Sequence, residues 1–192
     1  MKLIYSTLFA LSLAATNVMA DDYIIDKKGM HASIDFKISH LGFSWLRGRF
    51  NDFDGHFSYD KDQPENAKIE VIIKTSSIDS NHAKRDKHLR EKDFLNTDKY
   101  PEAKFISTSF VQEKDGSGIL KGDFTLRGVT KPILIDVKYI GEGKDPWGGY
   151  RIGFEGTTKI ALADYGIVYD LGSTAKEMEL FFEIEGVRQT KK

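Results

Sequence analysis

Cysteine is absent from the sequence. Disulfide scaffolds, thiolate zinc sites, iron–sulfur clusters and cysteine nucleophiles are therefore excluded together. Proline is scarce, at 4 residues, and no Pro/Ser-rich linker, internal repeat or low-complexity tract divides the chain. Net charge is nearly absent as well, since 28 Lys+Arg stand against 29 Asp+Glu. So neutral a chain has no general pull on nucleic acid, which is bound by a basic surface that displaces counterions. Beyond residue 20 no apolar run is long enough to cross a bilayer. What is present is an ordinary globular balance over 192 residues, 40% apolar and 30% charged. That composition excludes disorder and collagen and fits one domain. Thirteen Phe, 8 Tyr and 17 Gly suit a sheet-rich fold with glycine turns.

The first twenty residues read as an export signal. Lys2 is the only charge before Asp21, Leu3 to Ala15 is almost wholly apolar, and Val18-Met19-Ala20 offers small residues for cleavage. A retained membrane anchor is the alternative, but the run is short for a span and Asp21-Asp22 follows it with no basic stop-transfer cluster. The expectation is a cleaved signal at 1–20, a single domain at 21–192 and a periplasmic location. A chain without thiols is compatible with that oxidising compartment.

From there on the dominant pattern is alternation, the signature of half-buried strands. Ala32, Ile34, Phe36 and Ile38 oppose Ser33, Asp35, Lys37 and Ser39. Leu120, Phe124 and Leu126 oppose Lys121, Asp123 and Thr125, and Met178, Leu180, Phe182 and Ile184 oppose Glu179, Glu183 and Glu185. Glycine turns at Asp115-Gly116-Ser117-Gly118 and Pro146-Trp147-Gly148-Gly149 make the strand pairs antiparallel. One stretch breaks the pattern: Asn81 to Phe94 has no Gly, Pro or β-branched residue and predicts a charged helix in the connection after the strand around 68–75.

Eight or more strands with charged outer and neutral inner faces are best served by closing the sheet, which removes its edges. A two-sheet sandwich would satisfy the same pattern. The reading is an all-β fold with one helix, an eight-stranded antiparallel barrel. Gly122 and Gly156 at inward positions would leave room beside rigid aromatics, so an apolar cavity is expected in place of a filled core. A hydrocarbon chain suits such a space, because each buried methylene contributes about 0.8 kcal/mol before ordering costs.

Several segments resemble the YceI family of exported bacterial proteins. They are Phe36-Lys37-Ile38-Ser39-His40-Leu41-Gly42, Gly48-Arg49-Phe50-Asn51-Asp52-Phe53-Asp54-Gly55, Arg85-Asp86-Lys87-His88-Leu89-Arg90, Lys99-Tyr100-Pro101 and Asp164-Tyr165-Gly166. The most diagnostic is Gly122-Asp123-Phe124-Thr125-Leu126-Arg127-Gly128-Val129-Thr130-Lys131-Pro132. The sequence departs from the family pattern at Ala161-Leu162, where many relatives carry Asp-Arg. The resemblance implies an extended lipocalin-like barrel whose tunnel encloses an isoprenoid or similar amphiphile, such as an isoprenoid quinone, with no enzymatic activity attached to the family as such.

No catalytic motif stands out. Gly-x-Ser-x-Gly and phosphate-loop patterns are missing. His82 and His88 fall on nearly opposite helix faces, and the calcium-like Asn51-Asp52-Phe53-Asp54-Gly55 would need a ligand at Phe50 and an acid at Lys61. No catalytic residue, metal or cofactor is expected, and the ligand is expected to be a long-chain lipid. An envelope enzyme with an unrecognised acid/base pair and a filled-core module that recruits a partner are the alternatives. Candidate tunnel residues are Phe36, His40, Phe43, Trp45, Phe50, Phe53, Phe57, Leu89, Phe105, Phe124 and Phe154, with Arg85 on the basic helix set for an anionic head group or a membrane surface. The expected partners are the lipid and a transient membrane or envelope-protein contact, with no nucleic acid, and the chain is either a monomer or a homodimer.

Overall fold

A computed structural model describes residues 20–190. The export-signal reading of residues 1–20 therefore lies, apart from Ala20, outside the described residues. Eleven strands form one antiparallel sheet: β1 (Asp21–Ile25), β2 (Ser33–His40), β3 (Ser44–Phe50), β4 (Phe53–Tyr59), β5 (Lys68–Lys74), β6 (Ile78–Asp79), β7 (Glu102–Gln112), β8 (Ser117–Leu126), β9 (Val129–Lys144), β10 (Tyr150–Ala161) and β11 (Glu177–Arg188). Eight of them, in the order β1-β4-β5-β7-β8-β9-β10-β11, close on themselves because β11 returns to β1. This is the eight-stranded antiparallel barrel read from the alternation, in the lipocalin-like form that the resemblance implies.

β11 divides one edge between two partners. Its last residues pair with β1, from Tyr23↔Arg188 to Ile25↔Gly186. Its first half pairs with β2, from Met178↔Ile38 to Glu183↔Ser33. At that end the wall continues through the β2–β3 hairpin to the short β6, and a 3-10 turn at Thr75–Ser77 links β6 back to β5. Toward one end the ring is thus closed edge to edge by β1, and toward the other it is widened by an added hairpin.

Inward positions match the apolar parity. Ile34, Phe36, Phe50, Leu120, Phe124, Leu126 and Leu180 are all buried, and each side chain of this kind taken from water contributes about 1.5–3 kcal/mol. The outward face is laced with ion pairs such as Lys37–Glu179 (2.5 Å) and Lys104–Glu70 (2.6 Å). The room expected at Gly122 is already occupied. A Cβ there would overlap the Phe105 ring, just as one at Gly48 would overlap Phe36. These glycines let a neighbouring strand's ring lie flat along the wall instead of standing into the lumen.

The helix α1 is shorter than the sequence suggests, Ala83–Arg90 instead of Asn81–Phe94. Its last carbonyls are taken by turns: Leu95 N–H donates to Leu89 O (3.1 Å) and Thr97 N–H to Arg90 O (3.0 Å). His82 caps its start by accepting from Arg85 N–H (3.2 Å). Arg90 fixes it to the wall through Ser76 O (2.7 Å) and Ile78 O (2.8 Å). Among the described residues no helix is long and apolar enough to cross a membrane.

Candidate functional site: a two-chamber lumen

The lumen is hollow. A lower chamber of about 110 Å³ is walled by inward residues of β4, β5, β7, β8, β9, β10 and β11, among them Phe57, Val71, Phe105, Ile133, Val137, Phe154, Gly156 and Ile184. An upper chamber of about 380 Å³ is walled by the β2–β3 hairpin, α1 and the segment after β10, including Phe36, Leu46, Phe50, Leu89, Leu162, Ile167, Leu171, Met178 and Leu180. Ile34, Ile73, Phe124 and Phe182 belong to both walls and form the neck between them. The upper chamber alone reaches the size range of small-molecule pockets, about 300–1,000 Å³. The lower one is an apolar recess close to the roughly 150 Å³ at which a cavity stays dry and accepts an apolar guest.

The two ends differ. Below the lower chamber Phe154 meets Tyr59 (5.2 Å between centroids), Tyr139 (5.8 Å) and Phe57 (6.0 Å) edge-on, and Tyr23 stacks on Phe57 at 5.0 Å. Burial pushes the Tyr23 phenol up to about 12 and raises those of Tyr59 and Tyr139. Tyr59 donates to Gln112 Oε1 (2.7 Å), so its polar tip is satisfied. These rings make an aromatic plug. The upper chamber opens between α1, the turn after β2 and the stretch around Tyr169. His40, Leu41, Arg85, His88, Tyr169 and Asp170 stand there.

Polar groups at the mouth are few and mostly anchored. Arg85 donates through Nε to Ser80 Oγ and through Nη2 to Ser80 O, both at 2.7 Å. Burial would raise the Asp86 carboxyl, but hydrogen bonds from Ser80 outweigh it and hold it below the ordinary carboxylate range. His88 sits edge-on to Phe94 (5.0 Å) and Tyr169 (5.4 Å). His31, His40 and His56 stay apart: His31 bonds Asp26 (3.0 Å), His40 stands at the mouth, and His56 lies on β4 opposite Ile24 and Glu70.

One cluster has metal-like composition, with ligand atoms of Asp26, His31 and Glu185 within 4.8 Å of one another. It already holds a cation. Arg151 donates to Asp26 Oδ2 (2.5 Å), to Glu185 and to Asp145 Oδ2 (3.0 Å), lashing together three segments on the outer wall. Burial would raise the Asp26 carboxyl, but the bonds from Arg151, Gly29 N–H and His31 bring it down to about 2.

The candidate tunnel residues separate into three groups. Phe36, His40, Phe50, Arg85 and Leu89 line the upper chamber, Phe57, Phe105 and Phe154 the lower, and Phe124 the neck. Phe53 is buried opposite Ile73 but faces neither chamber. Phe43 and Trp45 lie outside the lumen, 86% and 59% exposed. Phe43 is in the β2–β3 turn, and Trp45 pairs with Ser39 on the outward parity, its ring under the Lys37 ammonium at 4.5 Å. The candidate set passes over aliphatic lining residues such as Ile133, Val137, Ile184 and Leu171, along with His88 and Tyr169. The strand residues among these carried a signal in the alternation itself. The Ala161-Leu162 departure also finds a place, because Leu162 presents an apolar side chain to the upper chamber.

A family model described as a YceI-like domain matches residues 23–186. The chain belongs to the YceI-like family. It is 55% identical over 177 residues, 92% of either chain, to a UPF0312 protein of Azotobacter vinelandii. The Campylobacter jejuni YCEI protein has the same fold, with a TM-score of 0.72 and 26% identity over 97% of this chain and all of that one. A polyisoprenoid binding domain from Saccharophagus degradans also superposes, with a TM-score of 0.65 over 89% of this chain and 99% of that one. Its 15% identity makes that a likeness of fold. The YceI-like barrel thus keeps its architecture across widely divergent sequences.

Proposed function

We propose that this YceI-like protein is a periplasmic carrier that holds one long-chain amphiphilic lipid, an isoprenoid or isoprenoid quinone, in its lumen. The observation that supports this reading is the joined pair of apolar chambers, bordered by a cluster of aromatic rings at one end and by a few polar side chains at the other. The chain runs down through the neck, its tip in the lower chamber. The head group rests at the mouth beside His40, Arg85, His88 and Tyr169, the polar side chains nearest the opening. Each methylene moved from water into such walls contributes about 0.8 kcal/mol, so affinity scales with chain length and needs little hydrogen bonding. The polyisoprenoid binding domain of Saccharophagus degradans shares the architecture and supports an isoprenoid over a sugar or nucleotide. The role is binding and release, with no bond made or broken.

The test is native mass spectrometry of the protein purified from its own host, followed by organic extraction. The expected result is one lipid per chain. Val71→Phe puts a ring into the lower chamber and is expected to shift retention toward shorter chains while the upper chamber still binds. A lipid-free protein that takes up no long-chain probe, or a Val71→Phe variant with an unchanged length preference, would overturn the proposal.

A further inference from the structure

The mouth carries an apolar rim outside the lumen. On the β2–β3 turn Leu41 and Phe43 are exposed, as is Trp45 at the start of β3, and across the opening so are Val168 (78%) and Tyr169. Neither Phe43, Trp45 nor Val168 lines a chamber, so packing around a ligand does not account for them. The two rim segments are tied together, Ser39 Oγ donating to Thr174 Oγ1 (3.1 Å) and Leu41 lying against Gly172. Beside them α1 exposes Lys84 and Lys87, its early acid Asp86 being buried against Ser80, and the rim itself exposes one acid, Asp170.

We infer that this rim is a docking surface for an anionic phospholipid bilayer, with Phe43, Trp45 and Val168 entering the interface and Lys84 and Lys87 meeting head groups. The inference rests on the carrier reading and gives the cargo its route. A hydrocarbon chain cannot cross water between bilayer and lumen without exposing every methylene, so the mouth must meet the membrane that holds it. Aromatic and aliphatic tips beside lysines are the chemistry of membrane-surface binding. A protein partner is disfavoured because a stable interface takes some 20–30 residues a side, and the rim offers five exposed apolar side chains.

The two tryptophans sit at opposite ends, Trp45 on the rim and Trp147 on the β9–β10 turn, and serve as reporters. Lipid-free Trp147→Phe protein is mixed with vesicles of phosphatidylglycerol and phosphatidylethanolamine. Trp45 emission is expected to move to the blue and be quenched by brominated acyl chains, less so at high salt or on phosphatidylcholine. In Trp45→Phe protein the remaining Trp147 is expected to stay unquenched. Phe43→Ser with Val168→Ser is expected to lower partitioning about tenfold or more while uptake of a fluorescent conjugated-polyene fatty acid from solution is unchanged. Equal quenching of both tryptophans, no partitioning onto anionic vesicles, or self-association that the double variant abolishes without any vesicle binding would each overturn the docking surface. Vesicle binding without fatty-acid uptake would keep the docking surface and remove the cargo.

Discussion

The two ends of the barrel are built on opposite terms. At the plugged end the inward rings and the outer charges are tied together: Phe154 touches three other rings, Tyr59 satisfies its hydroxyl on Gln112, and Arg151 bonds carboxylates from three segments. At the open end apolar side chains face water and the backbone accepts an awkward turn, with Leu41 at φ +54° where Asn or Gly would be easier. The closed end carries stability and the open end carries access. A hollow barrel keeps its shape because one end is over-determined, which leaves the other free to be shaped for a guest.

Three substitutions probe that division, beginning with the largest effect. Phe154→Ala removes the hub of the plug and is expected to cost about 3–5 kcal/mol, read as a loss of denaturation midpoint. A cost below about 1 kcal/mol would mean that the plug does not hold the barrel shut. Next, Arg151→Met leaves Asp26, only 7% exposed, and Glu185 without their cation, and is expected to cost about 2–3 kcal/mol at neutral pH.

The same arginine sets an acid dependence. The Asp26 carboxyl titrates lower in the folded chain, at about 2, than its ordinary 3.8. Its contribution is therefore full above about pH 4 and is lost as pH falls toward 2. Melting temperature against pH should show that loss in the native protein, while in Arg151→Met, whose Asp26 has lost the cation that holds its carboxyl low, the loss over the same range should be smaller. The smallest effect belongs to the open end. Leu41→Gly relieves a left-handed backbone position and is expected to raise stability by about 0.5–1 kcal/mol, seen as a higher melting temperature. No gain there would mean that the turn carries no strain and that the two ends differ less in backbone cost.

Much of this architecture is legible in the sequence because alternation and charge speak directly of faces. β2, β8 and β11 announce their inner and outer residues, and glycine turns announce antiparallel pairing. The added hairpin is harder to read, since β2 and β3 alternate as a barrel strand does and nothing local says which edge they join. Trp45 misleads because aromatic character suggests a wall, yet it shares parity with Arg47 and Arg49, and that parity decides its face. Gly122 misleads for a different reason: the space a glycine leaves is claimed by a ring from the next strand, a tertiary event that no single segment encodes. His88 and Tyr169 are far apart in sequence and meet only at the mouth.

The seam that joins Tyr23 to Arg188 has a consequence for how the molecule comes into being. The first stave of the ring is fastened to the last, so nearly the whole chain must be in hand before those hydrogen bonds can form. Contacts so distant along the chain slow the search for the native state. A polypeptide delivered from its beginning must wait, open-edged and in need of protection from its neighbours, until its final strand arrives to complete the circle.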